Sequence, residues 1–295
     1  MPKLTRIDIS KKDIVGYFNN LNPKTVFMKK EIGKILFEMR NIWRLSQGFN
    51  TENFIFFLTE KCNLQIVELY SPNYNKTITR YIWNPDFSIY QIALSIKPNS
   101  YFSHYTAVFM HGLTQQVPKT IYFNTEQSEK KTTVNSLTQN NIDLALKRKP
   151  RVSQYIFNYD NWKICCINGK YTDNLGVEKL KINKDETIPL TSIERTLIDI
   201  SVRPVYSGGI YEVLNIFKTA KGNFSVNKLN SFLKKINYIY PYHQVIGFYL
   251  QQAGFQDSLL NLLKTIDMKY DFYLDYDIKN TTYIKEWRLF IPKDF

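Results

Sequence analysis

Between Ser10 and Ile82 the apolar spacing changes once, from a helical period to strict alternation. That single change limits which folds are open to this segment. Ser10–Leu21 places Ile14, Val15, Phe18 and Leu21 at helical spacing behind a serine suited to capping. Asn22-Pro23 breaks the run. Lys29–Arg44 carries Ile32, Ile35, Leu36, Met39 and Trp43 on one stripe, and Gly48 stops it. Asn50 or Thr51 caps a third helix with Phe54, Phe57 and Leu58 inward. The pattern then alternates through Leu64-Gln65-Ile66-Val67-Glu68-Leu69, turns at Ser71-Pro72-Asn73-Tyr74-Asn75, and returns through Thr77-Ile78-Thr79-Arg80-Tyr81-Ile82.

Three helices followed by a β-hairpin is the order of a winged helix-turn-helix domain. Asn84-Pro85 offers a boundary, and the chain divides into residues 1–94 and 95–295. Such a domain holds duplex DNA through phosphate contacts and reads bases with its third helix. Thr51 and Asn53 occupy the first turn of that helix, and Lys61 lies near its end. Lys29, Lys30, Lys34, Arg40 and Arg44 line the second helix. Tyr74 and Asn75 sit at the wing tip, flanked by Lys76 and Arg80. These are the candidate DNA-binding residues. Glu52 and Glu60 on the third helix repel phosphate, which shifts binding toward the second helix and the wing. The same charges also fit ordinary solvated helix faces or a protein-binding winged helix.

The remaining chain mixes the two periods, so the expected class is α+β. Ser103–Gly112 reads as a short helix, Pro118–Asn124 as a strand, and Thr138–Lys147 as a helix stopped by Pro150. Gln154–Phe157, Trp162–Ile167 and Lys179–Ile182 read as strands. Thr191-Ser192-Ile193-Glu194 has the form of a capping box opening a helix that ends near Pro204. Further helices are predicted at 209–220, 225–236, 241–253 and 257–266, and closing strands at Asp271–Tyr276 and Tyr283–Ile291.

Lysine and arginine number 39 against 26 acidic residues, a net charge of +13 spread along the whole length. This favours a polyanionic partner. The longest apolar runs fall far short of the roughly 18 residues of a spanning helix, and the N-terminal stretch lacks an apolar leader core. Cys62, Cys165 and Cys166 form an odd set with two adjacent members, a poor disulfide framework, and no zinc-ligand spacing accompanies them. Reduced thiols in a cytoplasm fit best. Nothing calls for a metal or other cofactor.

Enzymatic chemistry has few players here. His104 and His111 are seven residues apart, a spacing that suits packing and capping better than one metal. Asp275 and Asp277 would share a face if they lay in a strand, and with Asp271 they could hold Mg²⁺ for phosphoryl transfer. The one Gly-Gly pair, Gly208-Gly209, lacks the lysine of a phosphate-binding loop. The expectation is a binding protein rather than an enzyme.

Ser103-His104-Tyr105-Thr106-Ala107-Val108-Phe109-Met110-His111-Gly112-Leu113 resembles the central motif of the AbiEi family of bacterial antitoxins, as does the Val117-Pro118 turn into Ile121-Tyr122. Ser192-Ile193-Glu194-Arg195-Thr196-Leu197-Ile198-Asp199 is similar to the family's second landmark, and Gly247-Phe248-Tyr249-Leu250 and Ala253-Gly254 follow in order. The resemblance spans roughly residues 10–295. It implies one half of a type IV toxin–antitoxin pair linked to abortive phage infection. In such proteins an N-terminal winged helix binds operator DNA with inverted repeats and represses the operon. The C-terminal part, here 95–295, counteracts a nucleotidyltransferase-like toxin without a stable complex. The alternatives are a winged-helix transcriptional regulator with a ligand- or protein-sensing C-terminal domain and, third, a metal-dependent nucleic-acid-modifying enzyme using Asp275 and Asp277.

Overall fold

The structure, a computed structural model, describes residues 5–21, 25–83, 87–129, 137–184 and 186–295. The expected breaks at Asn22-Pro23 and Asn84-Pro85 lie outside the described residues. In chain order the elements begin with α1 (Arg6–Ile9), α2 (Lys11–Asn19), β1 (Val26–Phe27), α3 (Lys29–Met39), α4 (Thr51–Cys62), β2 (Gln65–Ser71), β3 (Lys76–Ile82) and α5 (Ile89–Ile96). They continue with β4 (Tyr101–Phe102), α6 (His104–Met110), β5 (Thr120–Glu126), α7 (Gln139–Leu146), β6 (Ile156–Tyr159), β7 (Trp162–Gly169), β8 (Val177–Lys181) and β9 (Thr187–Thr191). Then come α8 (Ile193–Val202), α9 (Ile210–Ala220), α10 (Val226–Ile236), α11 (Tyr242–Gln252), α12 (Asp257–Lys264), β10 (Phe272–Tyr273), β11 (Thr281–Ile284) and β12 (Leu289–Pro292). The class is α+β.

The chain forms two compact units. The first holds residues 1–99 together with 155–164 and 181–188; the second holds the rest. In the first unit β1 pairs antiparallel with β3, placing Val26 opposite Ile82, and β3 pairs antiparallel with β2 from Gln65 opposite Ile82 to Ser71 opposite Lys76. β6 extends this sheet along β2, with Tyr70 opposite Asn158. The core is aromatic. Phe18 stacks on Trp83 at 4.6 Å, and Trp43 meets Tyr17 edge-on at 5.6 Å. Phe54 and Leu58 of α4 are fully buried.

The expected helix Lys29–Arg44 is shorter than its apolar stripe. It ends at Met39, and Arg44 adopts a left-handed φ of 53°. Trp43 must leave the helix to reach the core, and the Arg40 guanidinium holds the resulting turn by donating to the Ser46 and Gln47 carbonyls. Burying an indole this size outweighs one more turn of helical hydrogen bonds. α5 falls in a stretch for which no element was expected. Ser88 caps it, accepting from the Gln91 amide, and donates to the buried Glu186 carboxylate.

In the second unit the strands run in the order β7-β5-β4-β9-β8. β4 and β5 are antiparallel, whereas β4 and β9 are parallel. β10, β12 and β11 form a separate small sheet. Helix α8 lies at the centre with α6, α9, α10 and α11 around it. Its cap falls one residue later than the sequence pattern indicates. The Ser192 hydroxyl accepts from the Arg195 amide, whereas the Thr191 hydroxyl pairs with that of Thr196 at 2.8 Å. Glu194 is therefore released from the capping box. Its carboxylate accepts from the Ser225 amide at 3.2 Å and pairs with Lys228 at 2.9 Å, anchoring the start of α10. The expected last strand, Tyr283–Ile291, is interrupted. A tight turn at Lys285–Trp287 and a left-handed Arg288 fold it into a hairpin of β11 and β12 and bury Trp287 completely.

Candidate functional site

The candidate DNA-binding residues separate into exposed and structural groups. Lys30 and Lys34 are exposed on α3, four residues apart on one stripe that continues to Phe37, a ring 79% exposed. Lys34 forms only a loose 3.6 Å pair with Glu38. Lys29 lies 2.6 Å from Glu52 of α4. This contact holds the Glu52 carboxyl below its ordinary pKa and neutralises one of the acidic residues of that helix. Asn53 is exposed in the first turn of α4, and its amide donates to the Asn50 side chain at 2.9 Å. It shares an exposed stripe with Phe56, 68% accessible. Lys61, Lys76, Arg44 and Tyr74 are exposed, and Asn75 accepts from the Tyr70 hydroxyl at the hairpin tip.

Three candidates serve the fold instead. Arg40 is committed to the turn after α3. Thr51 packs against Gly33, where an added Cβ would stand 3.1 Å from its hydroxyl. Arg80 is buried, and its guanidinium donates to Ser95 O, Ser95 Oγ and Thr79 O. It ties β3 to α5 and is not available to a phosphate. Helix α5, which supplies the Ser95 acceptors of Arg80, was not visible in the sequence.

In the second unit the Ser192–Asp199 segment anchors a buried polar network that also takes in Tyr101, Asn124, Glu126 and Thr172. Arg195 and Asp199 are one turn apart on α8 and both lie in the interior. Arg195 Nη1 donates to Thr172 Oγ1 and Leu175 O, and Nη2 to the Tyr101 hydroxyl. Burial works against the guanidinium charge, but Asp199 overrides it and raises the Arg195 pKa above its ordinary value. Tyr101 donates to Glu126 at 3.0 Å and accepts from Asn124, whose Oδ1 accepts from the Gly169 amide. Glu126 also accepts from the Thr172 amide and hydroxyl, which hold its pKa down despite the burial that opposes this. Glycine is required at 169, since a Cβ there would come within 2.7 Å of Asn124 Oδ1.

A small cavity of about 170 Å³ opens beside this network, lined by His104, Lys170, Arg195, Asp199, Arg203 and Tyr238 among others. His104 is buried with a left-handed φ of 51° and its Nδ1 2.8 Å from Ser103 Oγ. Burial, then Arg203 and Arg195, push its pKa down to about 3, so it is neutral at physiological pH. His111 is instead bound through Nε2 to the Thr191 carbonyl at 2.7 Å, and Gly112 follows at φ 68°. Both histidines position α6 against its neighbours.

Asp275 and Asp277 do not share a strand face. Only Phe272–Tyr273 is extended, and Asp277 adopts φ 53° in a turn. Asp275 accepts from the Tyr276 amide, whereas Asp277 pairs with Lys279. Asp271 is engaged separately by Arg288 and Tyr283. The shared-face argument for a metal pair therefore fails. Cys165 and Cys166 are both buried, and burial pushes the Cys165 thiol up to about 12. None of the three cysteines is in a disulfide. No helix among the described residues is long and apolar enough to cross a membrane.

The fold has a solved counterpart. The chain is similar to the RV2827C protein from Mycobacterium tuberculosis, with a TM-score of 0.56 at 12% identity over 96% of this chain and 90% of that one. At this identity the likeness concerns the fold alone. No family model and no curated protein sequence matches the chain.

Proposed function

We propose that this protein is a DNA-binding antitoxin of a type IV pair, repressing its own operon through the first unit and opposing a nucleotidyltransferase-like toxin through the second. The observation that carries the DNA-binding half is the layout of the first unit: α2, β1, α3, α4, β2 and β3 in that order, with strand order β1-β3-β2. That order supports a winged helix-turn-helix reading, in which α4 serves as the recognition helix and the β2–β3 hairpin as the wing. Lys30, Lys34, Lys61 and Lys76 are exposed around those elements and available to phosphate. The Lys29–Glu52 contact reduces the repulsion that an acidic recognition helix would otherwise present. The antitoxin half is supported by the motif resemblance at Ser103–Leu113 and Ser192–Asp199.

The test uses the full chain. DNA from upstream of its own gene should be bound with log affinity falling linearly in log salt, at a slope of about −0.9 per phosphate neutralised. Co-expression with the adjacent gene, scored by growth, tests the second half. A flat salt response would overturn the DNA-binding role, and failure of the full chain to rescue growth would overturn the antitoxin role.

A further inference from the structure

The second unit contains a larger cavity, of about 340 Å³, that none of the preceding functions uses. Its walls carry Arg148, Lys149 and Arg151 from the segment after α7, Arg203 from the end of α8, and Tyr240, Asp275 and Tyr276. The volume lies in the range of small-ligand pockets. We propose that this cavity is a binding site for a nucleoside phosphate.

Four cations line one cavity, and none of them forms an ion pair with a carboxylate among the described residues. Like charges held together repel one another, one carboxylate, Asp275, offsets the four cations only in part, and an anion placed between them relieves the rest of that repulsion. Arginine forks match phosphate oxygens in geometry as well as charge. Arg203 is held in place by its backbone: its amide donates to the Asp199 carbonyl at 3.0 Å, and its carbonyl accepts from the Tyr206 amide at 3.1 Å. The opposite wall is fixed too. The Asp277 amide donates to the Leu146 carbonyl at 2.7 Å, tying the 275–277 turn to the end of α7. The Tyr240 ring is stacked on Phe272 at 5.9 Å.

The remaining wall chemistry separates a nucleotide from a bare phosphate. Asp275 is a carboxylate among cations. It would repel inorganic phosphate but can accept from a sugar hydroxyl or a base amino group. The two tyrosines supply half-buried ring surface for a base or sugar. The arginines therefore take the phosphates, and Asp275 with the tyrosines takes the nucleoside.

This proposal stands independently of DNA binding by the first unit. It is tested by calorimetric titration of the full chain with ATP, AMP, adenosine and pyrophosphate at roughly 0.15 M salt, where long-range attraction is screened. ATP is expected to bind, AMP more weakly, and adenosine weakest. The double variant Arg148→Gln/Arg151→Gln changes exposed side chains, and an unchanged thermal midpoint will show that it folds. It should lower ATP affinity about tenfold or more, as should Arg203→Gln. Asp275→Asn should narrow the preference for ATP over pyrophosphate. The variant Lys30→Ala/Lys34→Ala in the first unit should leave ATP affinity unchanged. The proposal is overturned by absent binding at millimolar ATP, by equal affinity in the double arginine variant, by pyrophosphate binding as tightly as ATP, or by parallel loss in the first-unit variant.

Discussion

The guanidinium Nε of Arg195 lies 2.9 Å from Oδ1 of Asp199, and both side chains are at least nine-tenths removed from solvent. Removing one partner leaves the other charged and buried, at a cost of about 3–5 kcal/mol. Arg195→Met and Asp199→Leu alone are each expected to destabilise the protein by that amount in urea unfolding. The two together should cost clearly less than the sum, because no orphan charge remains. Additive losses would show that the pair is not coupled.

Gly247 inverts the usual helix rule. An exposed glycine-to-alanine change inside a helix normally stabilises by up to about 1 kcal/mol. Here an added Cβ would fall 2.1 Å from Trp287 Cζ3. Trp287 cannot retreat easily, since its Nε1 donates to Gln251 Oε1 at 2.7 Å and the ring is fully buried. Gly247→Ala should therefore destabilise by about 1–3 kcal/mol or more, read as a drop in thermal midpoint. Gly16→Ala, in α2 with open space around it, is the control and should not.

Acid should destabilise the fold through its buried histidines. The His104 pKa is pushed down to about 3 and that of His243 to about 4, both chiefly by burial. The unfolded chain, with histidines near 6.5, binds more protons below that pH. The stability is thus complete above about pH 6.5 and is lost as pH falls toward 4, by up to about 1.4 kcal/mol per pH unit for each histidine. His104→Asn should flatten the slope, since asparagine tolerates the left-handed backbone without titrating. A slope unchanged in that variant would exclude His104 as its source.

Arg80 and Lys34 should separate stability from DNA affinity. Lys34→Ala is expected to leave the thermal midpoint nearly unchanged and to reduce the salt slope of operator binding by about 1. Arg80→Ala removes a buried guanidinium that satisfies Ser95 and Thr79, so it should lower the midpoint. A reduced salt slope from a folded Arg80→Ala protein would place Arg80 on the DNA after all.

What could be read from the sequence was local. Helical period and alternation located α2, α4, β2, β3 and α9 through α12 to within a few residues, although α11 is buried all round from Tyr242 to Leu250. What failed depended on long-range partners. The helix over Lys29–Arg44 was cut short by where Trp43 had to go. The strand through Asp275 was lost because Asp277 is tied to Leu146. Of the candidate site, the exposed lysines were visible as charge on helix faces, whereas the burial of Arg80 depended on α5. The Arg195–Asp199 pair had a signal that was available, two opposite charges one turn apart on one helix. The cavity cations had a weaker one, the Arg148-Lys149-Pro150-Arg151 run, which carries no indication that Arg203 faces it.

The first unit is not a continuous stretch of chain. Residues 155–164 and 181–188 belong to it, and β6 lines the edge of β2 at Tyr70. A cut near residue 95 therefore does not release two whole units. The N-terminal fragment would be left with an open strand edge, prone to pairing with other chains. The C-terminal fragment would carry two segments without their sheet. The two proposed roles are better separated by point substitution in the intact chain, because a silent fragment in a rescue assay would report on folding alone.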